Sequence, residues 1–418
     1  MKRPEILAPA GDMTCLQAAL QNGADAVYLG LDALNMRVRS GINFTARTLP
    51  VACRRAHAAG AKVYLTLNSI VFDSELAEMR RMVRMSARHV DAFIVSDFAV
   101  MLACKEYGAP FHVSTQMSCS NAESAKFFRS FGAERVVLAR ECSLDEVRGI
   151  CRRAGVEVET FVHGAQCVAE SGRCLLSHHA YGKSACRGEC RQPCRRQFLV
   201  QAVDRYTGSP IMPDGTKAPS FEVTPHTVMS AKDLCSLPYV RQLLEAGIAS
   251  WKIEGRARNP EYVAATVSAY RDARDAAMRG VYTKAMCDSL VERVSRVFHR
   301  EFAFGLFNGR PGKDQFTDFE DSIASAVKRQ LGIVRNYYAK SGVAEVLVRD
   351  RRLRVGDTVQ IQGPSTGVVE LVVDALRRDA DEIRAADKGS WATFKCPRVR
   401  IGDKVFLVET RRKCGESK

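Results

Sequence analysis

Six of the 15 cysteines fall in one part of the chain. Cys167, Cys174, Cys186, Cys190 and Cys194 lie within ETFVHGAQCVAESGRCLLSHHAYGKSACRGECRQPCRRQF (residues 159–198), and Cys235 follows in SAKDLC. Six, eleven, three and three residues separate the first five. Four thiolates from such a set can hold zinc or an iron–sulfur cluster. Zinc ribbons usually carry paired Cys-x-x-Cys knuckles, and this stretch has none. The looser spacing suits a cluster, and Gly164, Gly172 and Gly188 allow the backbone to turn tightly around a bulky inorganic core. Arg173, Arg187, Arg191, Arg195 and Arg196 can offset thiolate charge or bind phosphate. The other nine cysteines are scattered singly and read as small buried hydrophobes.

Elements that position this stretch are legible on both sides of it. Strand candidates are EIL (5–7), AVYLG (26–30), KVYLTL (62–67), AFIVS (92–96), PFHVS (110–114), RVVLA (135–139), EVETFV (157–162) and SWKIE (250–254). Between the early ones lie helical patterns, as in Ser74 to Val90, where Leu76, Met79, Val83, Ala87 and Val90 share one face. Strand–helix alternation with apolar strand cores predicts an α/β fold, a TIM-like (β/α) barrel. A doubly wound open sheet is the alternative. Residues 164–235 interrupt the alternation between strands seven and eight, and an insertion of that size is usually functional.

Each strand, read to its C-terminal end, delivers polar residues: Asn68, Asp97, Ser114 with Gln116, Arg140 with Glu141, His163, then Lys252, Glu254 and Arg256. In a barrel these meet at one mouth, where active sites are built. Asp97 can equally cap the helix that follows it. His163 and Glu159 are candidates to move protons, and Glu159 can instead pair with a nearby Arg. Arg140, Lys252 and Arg256 suit carboxylate recognition, with salt bridges to Glu141 or Glu254 as the alternative. Tyr181 and Phe198 are candidates for base stacking, core packing being the better reading for Phe198.

Residues 1–320 are therefore read as the barrel carrying the cassette (164–235). Residues 325–418 are read as a small basic antiparallel β-barrel, from short β-branched runs such as VAEVLV and VVELVV broken by Gly-Asp and Gly-Pro turns. Residues 321–418 hold 20 Lys and Arg against 13 Asp and Glu, a surplus of seven within a total net charge of +15. A basic chain favours an acidic partner such as RNA. No apolar run is long enough to span a bilayer, so no membrane association is expected, and a start without a signal-type apolar region predicts the cytoplasm.

The segment Glu159-x-Phe161-x-x-Gly164-Ala165-x-Cys167, with Gly172-x-Cys174-x-Leu176-Ser177, resembles the signature of peptidase family U-32, the collagenase-like proteases. LAPAGD (7–12), GADAVYLG (23–30), Asn68, STQ (114–116), LARE (138–141), SAKDL (230–234) and KIEGR (252–256) extend the resemblance. Gln166 departs from it, standing where the signature usually has an aliphatic residue. Neither a Gly-x-Ser-x-Gly elbow nor a His-Glu-x-x-His helix is present to support proteolysis. His163 with Cys167 is the one imaginable nucleophile–base pair.

Better-understood members of the family resemble one another in carrying a 4Fe–4S cluster. They support oxygen-independent hydroxylation of a tRNA wobble uridine, a ribosomal RNA cytidine or a ubiquinone precursor. Prephenate is implied as oxygen donor and co-substrate. Chain length and the single basic β-barrel look most like the tRNA 5-hydroxyuridine synthases, which implies tRNA as partner. The implied cluster ligands are Cys167, Cys174, Cys190 and Cys235, with Cys194 competing for a place and Cys186 a bystander. The implied catalytic residues are His163, Glu159 and Glu141. Arg140, Gln116, Asn68, Lys252 and Arg256 are implied in substrate binding.

Overall fold

The computed structural model describes residues 2–39, 42–196, 198–201, 203–204, 207–210, 215, 220–223, 230–309, 313–319 and 321–411. Seven parallel strands come first: β1 (Glu5–Pro9), β2 (Ala26–Gly30), β3 (Lys62–Leu67), β4 (Ala92–Val95), β5 (Phe111–Val113), β6 (Arg135–Val137) and β7 (Glu157–Gly164). In the cassette, β8 (Phe198–Gln201) and β9 (Ser220–Val223) form an antiparallel ribbon, followed by β10 (Asp233–Cys235), β11 (Ser250–Ile253) and β12 (Phe302–Ala303). β11 pairs in parallel with both β1 and β7, which closes an eight-stranded barrel of β1–β7 and β11. The open-sheet alternative is thereby excluded.

Closure follows from the sequence pattern. β2 and β4 are buried at every position, as strands must be when helices cover one face and a filled interior the other. The helices begin on legible signals. Asp12, Asp97, Asn121 and Ser143 each accept a backbone N–H at a helix start, so Asp97 takes the capping role.

The lower barrel interior is charged rather than apolar. Arg135 reaches Glu5 at 2.7 Å, Glu157 at 2.8 Å and Glu159 at 3.1 Å. Tyr64 Oη donates to Glu5 Oε2 at 2.7 Å, and Lys252 Nζ donates to Glu159 Oε1 at 2.8 Å. Every carboxylate in this plug has a cation beside it, the condition under which buried charge is tolerable.

One irregularity redirects a predicted site residue. β7 and β11 pair Lys252 with Phe161 but Ile253 with His163, so a bulge at Val162–His163 breaks the alternation. Regular alternation would turn His163 inward with Glu159 and Phe161. The bulge instead leaves it outside the barrel among Tyr262, Tyr270 and Phe302. β10 then adds antiparallel to the end of β7, with Cys235 opposite His163.

From Ala326 to Thr410 an eight-stranded antiparallel sheet forms the second core around Leu331, Val346, Val359, Ile361 and Val405. It docks on the barrel through Lys328–Glu261 (2.8 Å), Gln362 Nε2 to Glu261 Oε2 (2.9 Å), and Arg296–Glu370 (2.6 Å). Among the described residues no helix is long and apolar enough to cross a membrane.

Candidate functional site

The C-terminal ends of the barrel strands and the cassette enclose a cavity of about 170 Å³. Its barrel side is lined by Asn68, Gln116, Arg140, Lys252 and Arg256, all five expected substrate-binding residues, with Tyr28, Arg37 and Glu254. Its cassette side is lined by Cys167, Cys174, Cys190 and Cys194.

Position on the fold explains each barrel residue. Asn68 follows β3, and its Nδ2 donates to Ser114 Oγ (3.3 Å) and Gln116 Oε1 (3.2 Å) past β5. Its Oδ1 accepts from Met36 N at 3.3 Å, tying this amide cluster to the loop after β2. Arg140 follows β6, stacks its guanidinium 4.0 Å from the Phe161 ring centre, and donates to Ala165 O at 2.6 Å. Arg37 and Arg140 flank Glu254 at 2.9 and 3.8 Å. Burial would push the Glu254 carboxyl up, but Arg37 and then Arg140 hold it down at about 2.

Arg256 is buried and donates to neutral oxygens, Thr66 Oγ1 and Asn35 Oδ1, both at 2.7 Å. Desolvation lowers it to about 10, well above neutral pH, so it stays charged. Its guanidinium lies where any side chain on Gly30 would sit, which is why β2 ends in glycine. Lys252, by contrast, is neutralised from below by Glu159. The cavity therefore has an excess of positive charge centred on Arg256.

Three expected catalytic residues do not line this cavity. Glu159 is fully buried in the charged plug, where burial is outweighed by Lys252 and Arg135 and its carboxyl is held at about 2. His163 is buried behind the barrel wall, 3.4 Å from Tyr270 Oη, and desolvation drops it to about 3, so it is neutral. Glu141 accepts from Ser171 N at 2.9 Å and Ser171 Oγ at 3.3 Å. It therefore braces the turn before Cys174, where Ser171 has a left-handed backbone (φ 44°).

Cys235 is likewise absent from the cavity. It lies in the apolar core on β10, its thiol pushed up to about 12 by burial. The structure brings Cys194, not Cys235, together with Cys167, Cys174 and Cys190. Cys186 stays out of the cavity lining. Tyr181 is exposed on the helix Leu176–Tyr181, and the side chain of Phe198 lies outside the described residues.

Arg37, unnoticed in the sequence, comes from the irregular stretch after β2, where no periodicity marks it. The cassette packs on that stretch: Gly188 (φ 80°) comes so close to Asn35 O that no side chain fits there.

Residues 11–317, the barrel and cassette, match the sequence profile of peptidase family U32. The chain belongs to this family. A collagenase of Porphyromonas gingivalis is 36% identical over 97% of this chain and 98% of its own length. A tRNA hydroxylation protein of Escherichia coli is 31% identical over 100% of this chain and 98% of its own. A 23S rRNA 5-hydroxycytidine synthase of Escherichia coli is 34% identical over 74% of this chain but only 46% of its own length.

An iron–sulfur centre in this U32 chain requires a donor set that fits it. Four thiols stand around a shared cavity, an arrangement open to a multi-atom cluster. Leu176 N donates to Cys174 Sγ and Gln192 N to Cys190 Sγ, each at 3.4 Å, and the Ala169 amide bonds Cys167 in the same two-residues-on pattern. Backbone N–H groups aimed at cysteine sulfur suit thiolates that ligate a cluster. The residues fit the group.

Proposed function

We propose that this U32 chain hydroxylates a tRNA uridine to 5-hydroxyuridine without molecular oxygen. In this reading Cys167, Cys174, Cys190 and Cys194 hold a 4Fe–4S cluster and prephenate is the oxygen donor. The observation that carries it is the joint wall: four cysteines face a cavity whose opposite side is Arg37, Arg140, Lys252 and Arg256. Such a cavity suits an anionic co-substrate beside a thiolate-bound cluster. When bound, the cluster would supply electron transfer or a Lewis-acidic iron. Arg256, whose hydrogen bonds go to neutral oxygens, would take a carboxylate of the donor. The Arg37–Glu254–Arg140 row would orient it, and the Asn68–Ser114–Gln116 cluster offers amides to a base edge.

Whole-length similarity to a tRNA hydroxylation protein, against under half the length of the ribosomal RNA enzyme, supports tRNA as acceptor. An anticodon-loop base is single-stranded and can be splayed into a pocket. The basic second domain suits phosphate contacts. The test is nucleoside mass spectrometry of total tRNA from a deletion strain. Loss of 5-hydroxyuridine derivatives, restored by the wild-type gene but not by one encoding Arg256→Met, is expected. Unchanged tRNA in the deletion strain overturns the reading.

The collagenase relative favours a second reading, hydrolysis of a peptide bond. It requires a nucleophile and base at the cavity, and His163, the expected base, is buried away from it.

A further inference from the structure

Gln192 lies between two of the cavity cysteines in an unusual conformation. Its backbone is left-handed (φ 53°, ψ 48°), which a non-glycine residue adopts only when its surroundings enforce it. Its amide N donates to Cys190 Sγ at 3.4 Å, and its carbonyl accepts from Arg195 N at 3.1 Å, closing the turn that carries Cys194. One strained residue thus touches Cys190 directly and the Cys194 turn through its carbonyl.

The side chain of Gln192 is held from outside the cassette. Arg300 Nη2 donates to Gln192 Oε1 at 3.3 Å. Arg300 is buried, 3.7 Å from the Asp233 carboxylate on β10, and Asp233 is only 1% exposed. Asp233 is fixed in turn, its backbone N donating to Glu301 O at 3.1 Å. Arg258 approaches the same carboxylate at 3.9 Å. A buried guanidinium is costly to place, and this one reaches from the barrel to the turn between two cysteines.

We propose that Arg300, set by Asp233, is a positioning residue for the cluster site. It fixes Gln192 in its left-handed conformation and so holds the Cys190 and Cys194 sulfurs at the spacing that a cluster needs. This rests on the cluster reading above. Outer partners of metal ligands typically change metal affinity about 10–100-fold when removed.

The test is anaerobic reconstitution of the full-length protein with iron and sulfide. Iron and sulfide content, the rate of cluster loss to a chelator and the reduction potential are then measured. Arg300→Met is expected to lose its cluster about 10-fold faster or more. Its potential should move negative, because a cation beside a negatively charged centre has been removed.

Gln192 itself is exposed, so its substitution disturbs the fold less than loss of the buried Arg300 does. Gln192→Val, which disfavours the left-handed region, is expected to lose the cluster as Arg300→Met does. Gln192→Gly, which tolerates that region, should retain it better. Chelator resistance and potential in Arg300→Met and Gln192→Val equal to wild type overturn the positioning role while leaving the cluster reading intact. A wild-type protein that takes up no iron and sulfide overturns both.

Discussion

Glu159→Gln separates a structural carboxylate from a catalytic one. Glu159 is fully buried, bonded to Lys252 Nζ at 2.8 Å and to Arg135 Nη1 at 3.1 Å. Arg135 keeps Glu5 and Glu157 after the substitution, but Lys252 loses its only carboxylate among the described residues. Removing one member of a buried pair costs about 3–5 kcal/mol, because the other charge is left uncompensated. The carboxyl's displacement from 4.5 to about 2 gives the same size, about 3 kcal/mol at about 1.4 kcal/mol per unit.

Because the folded-state value lies below the ordinary one, this stabilisation is complete above about pH 4.5 and disappears as pH falls towards 2. The assay is thermal unfolding followed by circular dichroism at pH 7 and pH 4, under anaerobic conditions. Glu159→Gln should lower Tm by at least about 5 °C at pH 7, since 1 kcal/mol is worth about 2–4 °C in a domain approaching this size. The double variant Glu159→Gln/Lys252→Met should recover much of the loss, because no buried charge is then stranded. A Glu159→Gln protein that melts within a degree of wild type, yet has no activity, would refute the structural assignment.

Three further outcomes are expected. Cys194→Ser should purify with little iron and sulfide, whereas Cys235→Ser should retain both; iron and sulfide assays of the two proteins decide between the ligand sets. Charge reversal at Arg349, Arg351 and Arg354, all exposed, should weaken tRNA binding and flatten its dependence on salt, by about one unit of log–log slope for each phosphate no longer engaged. Equal affinity and slope in a filter-binding titration would give this surface another role. His163→Phe should keep its iron, since His163 packs among Tyr262, Tyr270 and Phe302 rather than at the cavity. Because burial holds His163 near 3, wild-type stability should fall as pH drops from about 6.5, and this part of the fall should vanish in the variant.

The barrel is legible because its strands are short apolar runs at regular intervals, and the residues after them must reach one mouth. That rule located Asn68, Gln116, Arg140, Lys252 and Arg256. It failed where geometry departs from regular alternation. The bulge at Val162–His163 turns His163 outward, and no residue type in EVETFVHG announces it. Glu159 obeys the alternation but lies too deep, so only the three-dimensional placement of Arg135, 24 residues earlier, shows it as part of a plug. The placement of Cys194 at the cavity and of Cys235 in the core was hidden for a different reason. β10 returns antiparallel against the end of β7 and carries Cys235 into the core opposite His163. A pairing across the whole length of the cassette leaves no local mark. Arg37 was missed because the segment between β2 and the next helix has no period to read.

The peptidase and hydroxylase readings ask for different side chains on the same wall. Peptide hydrolysis by a nucleophile needs a base within hydrogen-bond reach and a third group to orient it. Among the described residues lining the cavity there is no histidine and no aspartate, and the one carboxylate, Glu254, is held between Arg37 and Arg140. The hydroxyls are also committed. Thr66 accepts from Arg256, Ser114 is bound to Asn68 and Gln116, and Ser171 donates to Glu141, itself used up bracing the turn. That leaves the thiols, which in the proposed reading ligate iron and so are not free to attack a carbonyl. Purified protein with its cluster should therefore leave gelatin intact, and Cys167→Ser should lose iron and tRNA hydroxylation together. Gelatin cleavage by iron-free protein that disappears in Cys167→Ser would reverse the choice, since it would assign the thiol to a nucleophile and not to a metal.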